Sequence, residues 1–323
     1  MKRFVDENGT FEIKIPTTWI YSLKSGKVHT FQDYEIWQYD TFQLSIIDAK
    51  EKSVKENFLR ITKNLPITKI NGISYYSYPD SIGDEFIVKA WTTLLGRKIV
   101  LFSLTYPVKQ NSKLNEKIAL VYQIISGFRL IEGAKSEDKI NWYRFDMFLQ
   151  GIAATAYMLN MAVGNKSFIE ATCLLASQID GLLRTGIILQ KQVVNRNSEI
   201  EREWIYQGIK DKKKSEKDVY KEAKKLMIID DKTFDDLFKL YDDRNRVIHR
   251  FIISEITVAE VEEIAYQYYK MQQKINKAIY DIESKQIELN LGMTRKGDGS
   301  KNIDHKKYIK GKMGKISYFD EKE

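Results

Sequence analysis

Two hydrophobic rhythms divide the chain. Through the first 130 or so residues, apolar and polar positions alternate in short runs broken by turn residues. Phe11-Glu-Ile-Lys-Ile15 alternates and stops at Pro16, and Tyr34–Tyr39 and Phe42–Ile46 alternate as well. Lys50 to Asn64 has helical spacing. Three strand-like runs follow, Ile73–Tyr78, Glu85–Leu94 and Lys98–Tyr106, the last two joined by the hairpin-type turn Leu95-Gly96-Arg97. Leu114 to Ser126 reads as an amphipathic helix and Phe128–Ile131 as a short extended piece. The pattern predicts mixed α and β structure over residues 1–132.

Beyond that point apolar residues recur at helical spacing. Helices are expected at about 141–163, 166–191, 197–210, 215–226, 232–250 and 257–288. Pro16, Pro66, Pro79 and Pro107 are the four prolines, and none follows. Because proline breaks helix interiors, its absence favours an all-α second part. Thr257 and Glu260 form a capping-box pattern for the last helix. The polar stretch 132–139 marks the boundary, and from Gly292 the chain turns to Gly, Lys and Asn. Three parts result: residues 1–132, 140–290, and a basic, flexible tail at 291–323.

Composition narrows the chemistry. One cysteine, Cys173, rules out an intramolecular disulfide and a multi-cysteine zinc site. With three scattered histidines, no protein-built metal site and no cofactor are expected. Cys173 lies in the apolar run ATCLLA and reads as a small buried residue. The opening MKRFVDENG lacks the apolar segment of a signal peptide. Met147 to Asn165 is uncharged and of membrane-spanning length, but its Gln, Gly, Thr and Asn residues favour a buried helix. The expected location is cytoplasmic, with no membrane partner. Of the net charge of +8, residues 133–294 contribute nothing, with 25 basic and 25 acidic side chains. The excess sits in the first part and in the tail, where Lys306, Lys307 and Lys310 interleave with Tyr308 as a weak RNA-binding candidate.

Phe11-x-Ile-x-Ile-Pro-x-x-Trp19, the hairpin, and a closing helix ending in Gly127-Phe-Arg-Leu-Ile131 together resemble the PsbP-like fold. The resemblance implies an antiparallel sheet with flanking helices and no catalysis. Asp80, Asp84 and Glu85 read as a solvated turn, and His29 as an isolated histidine.

The segment that carries chemistry is Asp242-Asp-Arg-Asn-Arg-Val-Ile-His-Arg250, near the end of a predicted helix. Without a metal, RNA cleavage needs a group that removes the 2′-hydroxyl proton and one that protonates the leaving 5′-oxygen. Histidine suits both steps near neutral pH. Arginine braces the phosphate oxygens through its planar fork. His249 is thus the acid/base candidate and Arg244 the phosphate brace, with Asn245 orienting the imidazole or contacting phosphate. Arg244 and His249, five positions apart, differ by about 140° on a regular helix. Arg246, three before His249, shares its face and is a second candidate.

This Arg244-Asn245-x-x-x-His249 pattern, with the apolar helix Phe168–Arg184 before it, resembles the HEPN superfamily over residues 141–288. The resemblance implies a helical bundle that dimerises, so that two motifs face one another across a shared RNA cleft. Asp180 or Glu170 would be the polar residue facing the site. It further implies an endoribonuclease of the toxin–antitoxin or phage-defence kind, with an antitoxin or regulatory protein as partner. Some HEPN domains have lost activity, and the alternative is a catalytically inactive dimerisation or binding module with a sensor-type first domain.

Overall fold

The structure is a computed structural model; it describes residues 1–24, 27–33, 40–131, 136–207, 211 and 213–292. The predicted strand at Tyr34–Tyr39 and the tail lysines 306, 307 and 310 lie outside the described residues. The chain divides into two compact units, with the boundary along the sequence at Ser136/Glu137.

The first unit is α+β. Its elements in order are β1 (Lys2–Val5), β2 (Phe11–Ile15), β3 (Trp19–Lys24), β4 (Val28–Asp33), β5 (Thr41–Asp48), α1 (Lys52–Thr62), β6 (Ile67–Ile70), β7 (Ile73–Ser77), β8 (Ser81–Ile82), β9 (Phe86–Leu95), β10 (Lys98–Pro107), α2 (Leu114–Ser126) and β11 (Arg129–Leu130). Every pairing is antiparallel. A small sheet has the order β1-β2-β11, and a large one β3-β4-β5-β10-β9-β7-β6, with β8 added on β9. The β9–β10 hairpin pairs Lys98 with Leu95, leaving Gly96 and Arg97 as the turn; Gly96 takes φ 58°, a conformation glycine adopts without steric cost. Period-2 alternation sends Phe42, Leu44, Phe102, Leu104 and Tyr106 to one face. There they bury with Phe11, Val121, Ile124, Ile125 and Phe128.

The second unit is all helical: α3 (Ser136–Gly164), α4 (Phe168–Asn195), α5 (Arg202–Ile205), α6 (Glu216–Lys225), α7 (Asp231–Arg250) and α8 (Val258–Glu288). Helix α4 is the axis of the core. Leu175, Ile179, Leu183 and Ile187, all within 2 % of full burial, pack against the inner stripe of α8, Tyr268, Met271, Ile275 and Ile279. At Gly186 a side chain would collide with Ile279, so glycine lets the two helices close. A buried amide pair, Gln286 Nε2 donating to Gln192 Oε1 at 2.6 Å, sits at the far end of the same contact.

Two expectations need correcting. The uncharged stretch in α3 is not buried as a whole: Ala154 and Ala162 turn inward, whereas Tyr157, Met161 and Val163 stand 43–53 % exposed. The helix buries one flank, where Ile152 lies against Gly181 of α4 and Ala162 against Ala171. By length and composition α3 and α4 both reach membrane-spanning dimensions, but two-thirds of the apolar window of α4 is buried inside the bundle. Cys173, in turn, is only half-buried, and that burial raises the pKa of its thiol.

Candidate functional site

The motif lies in the last two turns of α7. Asp230 starts this helix, its carboxylate accepting from the Thr233 N–H at 2.7 Å. From there Thr233, Leu237 and Leu240 form a buried stripe at spacings of four and three. Arg244 is the next position on that stripe. Its side chain therefore points inward, where only 15 % of it remains exposed.

A charged group on a core stripe must find partners. Arg244 Nη1 donates to Glu216 Oε1 of α6 at 2.6 Å, and Nη2 donates to Asn245 Oδ1 at 3.2 Å. The guanidinium also lies over the Tyr241 ring, 4.8 Å from its centroid. Its Nε is buried with no described partner. Burial alone would lower the Arg244 pKa, but the Glu216 hydrogen bond and charge leave it raised. Tyr220 donates to the other Glu216 oxygen at 3.4 Å, and Tyr268 to the Leu240 carbonyl at 2.7 Å. Desolvation raises the pKa of both phenols, keeping them neutral donors.

His249 has the opposite setting. It is exposed in the last helical turn and has no hydrogen-bond or ion-pair partner among the described residues. Asn245, four positions before it, is half-buried, and Arg246, three before it, is exposed. Asn245, Arg246 and His249 thus share one flank of α7. Arg246 Nη1 lies 3.5 Å from Asp243, a loose contact at an exposed site. The structure does not bring Arg244 and His249 together within one chain: one faces the core and the other faces out, as the 140° separation requires.

The two expected helper carboxylates go separate ways. Asp180 receives Arg184 Nε at 2.7 Å, while Arg184 also donates to the Trp204 and Lys214 carbonyls, tying α4 to α5 and the start of α6. Glu170 is exposed in the first turn of α4. It lines a hollow of about 480 Å³ with Lys166, Ser167, Phe168, Ile169, Phe251, Val258 and Val261. This hollow lies where the chain leaves α7, two residues after His249. Neither carboxylate contacts Arg244. Glu216, which does, carries no signal in the sequence: it is an ordinary first-turn glutamate beside the Ser215/Asp218 capping box, 28 positions from its partner.

Fold and site define a two-part chain, an antiparallel α+β unit followed by a helical unit with an exposed histidine flank. The chain is similar to solved structures, two of which are distant likenesses. A cyanobacterial PsbP (CyanoP) from Synechocystis sp. PCC 6803 is 19 % identical with a TM-score of 0.31, covering 40 % of this chain and 92 % of that one. A protein of Bacteroides thetaiotaomicron VPI-5482 is 13 % identical with a TM-score of 0.32, covering 60 % of this chain and 78 % of that one. No protein-family model matches the chain, and no curated protein matches it.

Proposed function

We propose that the helical unit is a metal-independent endoribonuclease of the HEPN type, acting as a toxin or phage-defence effector. The observation that carries this reading is the flank of α7 on which an exposed, unpartnered His249 stands beside Arg246 and Asn245. In the reaction, His249 removes the ribose 2′-hydroxyl proton as that oxygen attacks phosphorus. The new O2′–P bond forms as the P–O5′ bond breaks, and an imidazolium returns a proton to the 5′-oxygen, leaving a 2′,3′-cyclic phosphate and a 5′-hydroxyl.

Within one folded chain the phosphate brace falls to Arg246. Arg244, held by Glu216, fixes the motif helix and orients the Asn245 amide. A second copy supplies the facing histidine. Support for a dimer through this end comes from Ile248, Ile252, Ile253 and Val258, which are 41, 94, 80 and 62 % exposed around the end of α7 and the start of α8. An antitoxin or regulatory protein covering the same surface would hold the enzyme silent.

The test is cleavage of an RNA oligonucleotide with EDTA present. Wild type should cut it and leave the 2′-deoxy analogue intact. His249→Ala should lose cleavage by at least about a hundredfold, and Arg246→Ala should lose more than Arg244→Lys. Equal cleavage by wild type and His249→Ala removes the proposal.

The intrachain pairing of Arg244 favours a second reading, a catalytically inactive dimerisation or binding module with the α+β unit as sensor. A stable dimer that cuts no RNA, with or without His249, selects it.

A further inference from the structure

Helix α8 presents a face that neither the core nor the motif uses. Its buried stripe is Ile264, Tyr268, Met271, Ile275 and Ile279. On the outward flank, at helical spacing, stand Tyr266, Tyr269, Lys270, Gln273, Lys277 and Tyr280. The three tyrosines are 53, 47 and 68 % exposed. From Ile264 to Tyr280 the chain contains no acidic residue; Glu262 and Glu263 precede this run and Asp281 follows it. Lys270 Nζ sits 4.6 Å from the Tyr266 ring centroid, and neither Lys270 nor Lys277 forms an ion pair with a described residue. The neighbouring Lys274 is the one drawn away, to Asp230 at 3.4 Å. From Tyr266 to Tyr280 the strip runs about 21 Å along the helix.

Chemistry selects the occupant. Between Tyr266 and Tyr280 the strip holds no aliphatic side chain, so it lacks the Leu- and Phe-type anchors with which an amphipathic helix enters a lipid surface. Interface cores are moreover depleted of lysine. What the strip offers is ammonium groups without ion-pair partners among the described residues and exposed aromatic rings, one of them, Tyr266, with Lys270 already over it. Phosphates satisfy the first, and unpaired bases, stacking on the rings, satisfy the second. A base-paired duplex would hide the faces that the tyrosines need. We propose that the outward face of α8 docks single-stranded RNA, with Lys270 and Lys277 on phosphates and Tyr266, Tyr269 and Tyr280 stacking bases. The proposal deepens the ribonuclease reading and rests on it for the identity of the polymer. It gives the charge-neutral helical unit a local binding track.

The experiment uses the full chain carrying His249→Ala, so that bound RNA survives. A fluorescein-labelled oligouridylate is titrated by anisotropy at several salt concentrations. Lys270→Ala/Lys277→Ala should weaken binding and flatten the log–log salt slope by about 1.4, two phosphate contacts at roughly 0.7 each. Tyr269→Ala and Tyr280→Ala should each weaken binding about fivefold or more, whereas Phe at either position should keep it. All these sites are exposed, so circular dichroism should match the parent.

Parent-like affinity and slope in the lysine and alanine variants overturn the proposal, as does a parent that binds no oligonucleotide. A change of oligomeric state in the same variants, seen by sedimentation, also overturns it and assigns the face to a second copy. Cleavage is read separately with His249 restored. Strip-dependent binding without cleavage removes the ribonuclease reading and leaves the docking face; cleavage with strip-independent binding does the reverse.

Discussion

Arg244 and His249 belong to one hexapeptide yet live in different solvents. Arg244 shares a low-dielectric pocket with Glu216, Tyr220 and Tyr268, and its Nε is already short of a partner. Neutralising Glu216 would strand a buried cation. Glu216→Gln should therefore destabilise the helical unit by roughly 2–3 kcal/mol. Replacing both members, Glu216→Leu with Arg244→Met, should restore a good part of that, because the desolvation cost disappears together with the pair. Urea unfolding of wild type, Glu216→Leu, Arg244→Met and the double variant measures the coupling, and additive losses would show that the two side chains do not interact. The inward turn of Arg244 was legible in the sequence once the apolar positions 237 and 240 were followed to the next position on that face. Its partner was not. Tertiary pairs across separate helices leave no periodic trace, and Asp180 and Glu170 were the carboxylates that the family resemblance implied.

At the scale of elements, strong helical periods translated directly. The expected 114–126, 215–226, 232–250 and 257–288 appear as α2, α6, α7 and α8, with the Thr257/Glu260 capping box formed at the start of α8. The segment expected as a helix at 197–210 has among its described residues only Arg202–Ile205. Ile200 and Trp204 have helical spacing, but both are anchors: each is buried, and Glu201 ties the segment down by accepting from Lys191 at 2.6 Å and from the Trp204 indole at 2.9 Å. Short strands such as β1 and β6, four residues each, fall below the length at which alternation is readable.

The start of α7 carries its own prediction. Hydrogen bonds from the Thr233 hydroxyl and backbone N–H, with Lys274 nearby, hold the Asp230 carboxyl at about 2, below its ordinary 3.8. A depressed acid stabilises the fold once pH exceeds its unfolded value and loses that contribution as pH falls through the folded one. The wild type should thus lose part of its stability between about 4 and about 2. Asp230→Asn should be less stable than wild type at neutral pH and flatter across that window. Denaturant midpoints against pH check this, and parallel curves for the two proteins would remove Asp230 from the account.

At the scale of the molecule, the chain passes from one core and one rhythm to the other at Ser136/Glu137. Each unit buries its own large side chains, Phe11, Phe102 and Tyr106 in one, Tyr220, Tyr268 and Ile179 in the other. Fragments ending and beginning near residue 136 should each unfold cooperatively, the second with a purely helical circular dichroism spectrum. A second fragment that melts without a transition would mean that the helical unit depends on the first. The change from alternation to helical recurrence, with all four prolines on one side, made this division readable. The function of the α+β unit was not readable in the same way, since a sheet core is specified by apolar alternation whatever its surface does.

The socket around Arg244 has one further consequence, for how this chain can change over time. Because the arginine helps hold the fold, selection for a folded protein alone would retain it, while His249, exposed and uncommitted, could be exchanged at almost no structural cost. A lineage abandoning the proposed catalysis would therefore shed the histidine first and keep the arginine. In descendants of such a chain, a surviving Arg at this position would testify to architecture, and only a surviving His would testify to chemistry.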